Sequence, residues 1–92
     1  MKRKEVYNSV KKYVENIILP QFPEITGFEV EKSHRRKNPI YVEGSKHPID
    51  VKFYVNDIDS ERDNKLYFSV RKMNKYLSIP HEFYVESYLE HN

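Results

Sequence analysis

The chain contains no cysteine. A thiolate zinc site and a cysteine nucleophile are therefore excluded. Small secreted domains usually depend on disulfides, so the same absence favours a reducing compartment, and the cytoplasm is the expected location. Glycine occurs twice, at Gly27 and Gly44, and both are isolated, which leaves no glycine-rich phosphate loop. Thr26 is the one threonine, and no serine stands in a glycine-flanked turn that would expose it as a nucleophile. Long apolar runs are missing too. The longest aliphatic stretch, Ile17-Ile18-Leu19, is far too short to cross a bilayer. Met1-Lys2-Arg3-Lys4 has the basic start of a signal peptide, but Glu5, Lys11, Lys12 and Glu15 leave no apolar segment after it. No leader and no membrane association are expected.

The residues that are present argue for an ordered chain. Charged residues make up 33% and hydrophobic residues 38%, with a mean hydropathy of -0.85. Disordered chains with such values are poor in aromatics, whereas this one has eight Tyr and five Phe. Its 92 residues suffice for one domain, residues 1–92, with a small core. A partner or a second copy of the chain is expected to cover part of its apolar surface. The net charge of +2 is unevenly spread: residues 1–46 hold ten Lys/Arg against six Asp/Glu, and residues 47–92 hold six against eight. A charge asymmetry of this kind can steer a polyanion to one end.

Hydrophobic periodicity sets the expected elements. Val6, Val10, Tyr13, Val14 and Ile17 share one helical face, widened by Tyr7 and Ile18, and predict a helix over 5–19 that Pro20 ends. Residues 26–32 read as a strand, with Phe28 and Val30 inward and Glu29 and Glu31 outward. Ile40 and Val42 define a short second strand, and 44–48 form a turn by composition. Ile49, Val51, Phe53 and Val55 alternate with Asp50, Lys52, Tyr54 and Asn56, which makes 49–56 the central strand. Ser60 with Asp63 resembles a helix cap, and Leu66, Val70, Met73 and Leu77 predict a helix over 61–77. A strand over 65–71 competes, since Leu66, Phe68 and Val70 alternate. Phe83, Val85, Ser87 and Leu89 favour a last strand over a short helix. The expected fold class is α+β: helix, three-stranded antiparallel meander, helix, final strand, with the helices packed on one sheet face.

Three constellations could carry function. Asp50 and Lys52 lie two apart on one strand, so both point the same way. This D-x-K pair and the element order resemble metal-dependent nucleases of the PD-(D/E)xK type. That resemblance implies a cation held by Asp50 and an attacking water steadied by Lys52. The acidic residue that should open the preceding strand is missing, since the chain there reads Asn38-Pro39-Ile40, leaving Glu43 or Glu15 as substitutes. The simpler alternative is a charge pair on the outer face of a half-buried strand. The second constellation is the basic loop, where Arg35, Arg36 and Lys37, with Lys32 and Lys46 beside it, offer phosphate contacts. The helix–three strands–helix order is also similar to double-stranded-RNA-binding domains. Their phosphate-gripping lysines are replaced here by the acidic start Ser60-Glu61-Arg62-Asp63. A solvated turn is the alternative for the basic loop.

The third constellation is Tyr41, Tyr54, Tyr84 and Tyr88. If their strands share a sheet, these rings point away from the helices and offer a contact surface for a protein or for stacked bases. His34, His47, His81 and His91 show no metal-ligand spacing, so no metal and no cofactor is expected. No small-molecule substrate is indicated. The sequence therefore reads as a small non-enzymatic binding or adaptor module acting through a tyrosine-bearing sheet face. Its expected partner is another protein or a second copy of the chain. Nucleic-acid binding through the basic loop and the tyrosines is one alternative, and a nuclease or inactive relic the other.

Overall fold

The computed structural model describes residues 2–32, 48–80 and 82–92. The first helix, α1, spans Arg3–Tyr13 and continues through a π turn, Val14–Ile18, and a 3-10 turn, Leu19–Gln21. Val6, Val10, Val14 and Ile18 are all buried. They recur every fourth residue, which in a pure α-helix drifts around the axis. The wider i→i+5 turn absorbs that drift. Ile18 therefore takes the inward position that the α-helical period assigns to Ile17, and Ile17 is left 44% exposed. Pro20 sits inside the 3-10 turn rather than at a sharp helix end.

Strand β1 is Ile25–Lys32, β2 is Ile49–Val55, helix α2 is Ser60–Tyr76, and β3 is Val85–His91. The segment 65–71 is helical and the chain's last element is a strand. Helix α2 begins one residue earlier than expected, because Asp59 and not Ser60 is its cap. The Asp59 carboxylate accepts a hydrogen bond from the Arg62 backbone N–H at 2.8 Å. At the other end Ser78 adopts φ 49°, the Ser78 N–H donates to the Lys75 carbonyl, and the Ile79 N–H donates to that of Asn74. This is the Schellman arrangement, which satisfies the last carbonyls of a helix.

The antiparallel meander expected from the sequence is not the arrangement found. β1 pairs directly and antiparallel with β2, from Ile25 opposite Val55 to Lys32 opposite Ile49, so no strand lies between them. β3 pairs with β2 in parallel, Ile49 opposite Val85 through Val55 opposite His91. The sheet is therefore mixed, in the order β1-β2-β3. The expected strand at 40–42 falls outside the described residues. Helix length explains the parallel pair. The 17 residues of α2 rise about 26 Å, enough to carry the chain back past the roughly 23 Å of the seven-residue β2. The last strand then starts where β2 starts and runs beside it.

Both helices pack on one sheet face. Val6, Val10, Val14, Ile18, Leu66, Val70 and Met73 meet Ile49, Val51, Phe53 and Val55 there, and all are buried. Arg62 ties α2 to the segment before β1. Its guanidinium donates to both oxygens of Glu24, at 2.7 and 3.0 Å, and to the Gln21 carbonyl at 2.7 Å. It also stacks over Phe22 at 4.7 Å. These hydrogen bonds hold the Glu24 carboxyl down to about 2, below the usual carboxylate range. Among the described residues, no helix is long and apolar enough to cross a membrane.

Candidate functional site: the second sheet face

The alternation of β2 that buries Ile49, Val51, Phe53 and Val55 turns Asp50, Lys52 and Tyr54 to the opposite face. Pairing then assembles three levels across the sheet. Glu31, Asp50 and Glu86 share one level, Glu29, Lys52 and Tyr88 the next, and Gly27, Tyr54 and Glu90 the third. Five carboxylates thus surround one lysine and two tyrosines, on strands about 4.8 Å apart.

Lys52 is the hub of this face. Its ammonium lies 2.8 Å from Glu90 Oε1, and 5.5 and 5.7 Å from the ring centres of Tyr54 and Tyr88. The Glu90 hydrogen bond, assisted by both phenols, raises the Lys52 pKa above the ordinary lysine range. The Tyr88 hydroxyl donates to Glu31 Oε1 at 3.4 Å, and burial is the main cause of its raised pKa. Asp50 is only 4% exposed, the one buried charged residue among those described. Even so, no group of three or more His, Asp or Glu side chains among the described residues is arranged to hold a metal ion. Glu15 lies exposed on the helical layer, across the sheet from Asp50, so it does not join Asp50.

The structure brings together some of the residues expected from the sequence and separates others. Tyr54 and Tyr88 meet over Lys52. Tyr84 does not join them. It precedes β3 and lines a hollow of about 430 Å³ at the β3 edge with Tyr67 and Arg71 of α2. Lys32 is exposed at the end of β1, opposite Ile49. Tyr41, Arg35, Arg36, Lys37 and Lys46 lie outside the described residues. Alternation turned Glu29 outward, but spacing assigned neither Glu29 nor Glu90 to Lys52. Only the strand register places them there. Compared with protein-family models, with curated proteins and with solved structures, the chain matches none.

Proposed function

We propose that the chain is a small non-enzymatic binding module that docks a cationic segment of a partner protein on the second face of its sheet. The layout around Lys52 carries this reading. Tyr54 and Tyr88 supply amphipathic contact area, and Glu29, Glu31 and Glu90 ring it with negative charge. The lysine within the ring is already paired with Glu90, so the surplus charge suits Lys or Arg side chains and disfavours phosphates. A second copy of the chain is a poorer occupant. A twofold contact would set this face against itself, carboxylate against carboxylate. The nuclease resemblance asks Lys52 to steady a water or a phosphate, and here the ammonium is taken up by Glu90 and the two rings.

Fluorescence anisotropy with a labelled peptide of alternating arginine and leucine, against its glutamate counterpart, tests the reading. The cationic peptide should bind saturably and the acidic one should not. Glu29→Lys combined with Glu31→Lys should weaken binding about tenfold, and Tyr88→Ala should do so without changing the net charge. Light scattering should show a monomer throughout. An absence of saturable binding, indifference to these substitutions, or a dimer that they dissolve would each overturn it.

A further inference from the structure

Beyond its acidic first turn, with Glu61 and Asp63, the outer side of α2 has the opposite character. From Asn64 to His81 the chain carries Lys65, Arg71, Lys72 and Lys75 and no carboxylate. On α2 the buried residues Leu66, Val70 and Met73 occupy one arc, so these four cations fall on the outer arc, and all are exposed. Lys65 forms a solvent-exposed ion pair with Glu61 one turn earlier, at 3.5 Å, which a phosphate can displace. Three aromatics stand among them in solvent: Tyr67 is 52%, Phe68 59% and Tyr76 77% exposed. A helix that merely needs solubility has no use for three exposed rings on its solvent side. The rings are organised. Tyr67 and Phe68 meet edge to face at 5.6 Å, Arg71 lies 5.9 Å from the Tyr67 ring, and Tyr76 packs on Tyr13 of α1 at 5.7 Å. Beside Phe68 a hollow of about 280 Å³ opens between Lys65, Lys72 and Phe22, and the outer arc continues past Tyr76 to Lys12 of α1.

We infer that this face of α2 binds single-stranded nucleic acid, with Lys65, Arg71, Lys72 and Lys75 on the phosphates and Phe68 and Tyr67 against the bases. The pattern combines a line of cations that follows a backbone with exposed rings on which unpaired bases stack. Duplex bases hide their faces, so interleaved aromatics favour single strands. Arg62 takes no part, since Glu24 and the Gln21 carbonyl occupy it. The stretch from Lys65 to Tyr76 covers about 16 Å of helix, the reach of a few nucleotides. This surface lies on the layer opposite the acidic sheet face, so the two proposals stand or fall separately.

The test is anisotropy with fluorescein-labelled oligo(dT) and oligo(U) of about 15 nucleotides, within the range of single-strand site sizes. Affinity should fall with salt along a double-logarithmic slope of about -3, as expected for four phosphate contacts on a single strand. Changing Lys65, Arg71, Lys72 and Lys75 together to Gln should flatten that slope and weaken binding at least about a hundredfold. Phe68→Ala should weaken binding roughly tenfold while leaving the slope unchanged, which separates stacking from charge. All five positions are exposed, and circular dichroism checks that each variant is folded. Changing Arg35, Arg36 and Lys37 to Glu serves as the control for the basic segment 34–37. Four results would overturn the inference: no binding at low salt, loss of binding in the 35–37 variant alone, a preference for duplex, or binding to phosphatidylserine vesicles without binding to either oligonucleotide.

Discussion

Arg62 joins three groups that lie some forty positions earlier in the chain: the Glu24 carboxylate, the Gln21 carbonyl and the Phe22 ring. Its effect is readable as a pH dependence. The Glu24 carboxyl is held below its ordinary value, to about 2, mainly by the Arg62 hydrogen bonds. A depressed folded-state pKa gives stability that is fully present above the unfolded value near 4.5 and lost as pH falls towards 2. Urea unfolding at a series of pH values from 5 to 2 should therefore show a declining stability. The decline should be shallower in Arg62→Ala, where Glu24 loses the largest part of its folded-state preference for the charged form and keeps only its backbone hydrogen bond. An unchanged slope in that variant would mean another carboxylate dominates acid unfolding.

At the scale of the element, the end of α2 carries a measurable strain. Ser78 holds φ 49° to close the Schellman turn, and a left-handed backbone is costly for any residue with a Cβ. Ser78→Gly should stabilise the protein by about 0.5–1 kcal/mol, seen as a higher urea midpoint with an unchanged slope. A destabilised variant would show that the serine side chain contributes more than its backbone strain removes. The start of the same helix has no such tension, since Asp59 caps it in extended backbone. The π turn after α1 is another local departure. It keeps four aliphatic side chains in register with the sheet and leaves Ile17 in solvent.

Among the described residues, cations and exposed rings lie outside α2 beyond its acidic first turn, and carboxylates gather around Lys52 on the other side of the sheet. Phe53 sits at the middle of the core and is fully buried. Phe53→Ala should cost about 3–5 kcal/mol, a large part of the roughly 5–15 kcal/mol that holds a domain together. Chemical denaturation should show either a strongly lowered midpoint or no cooperative transition. Near-normal unfolding would place the core elsewhere.

Much of this arrangement is legible along the chain. The alternation from Ile49 to Val55 is itself the statement that one face is buried, so it names the central strand and turns Asp50, Lys52 and Tyr54 outward. The stripes Val6-Val10-Val14 and Leu66-Val70-Met73 likewise name two helices and the sides they bury, because burying an apolar face drives both patterns. Alternation cannot carry direction or partner. A period of two reads the same in a parallel and an antiparallel strand, so the expected meander and the observed mixed sheet fit one pattern equally well. Register is a relation between distant segments, and Glu90 reaches Lys52, or Glu24 reaches Arg62, only after the whole core has closed. Alternation suggested that Tyr41, Tyr54, Tyr84 and Tyr88 share the outer sheet face. Tertiary packing alone drew Tyr84 away from them, gathered the carboxylates around Lys52, and left Tyr67 and Phe68 in solvent among lysines.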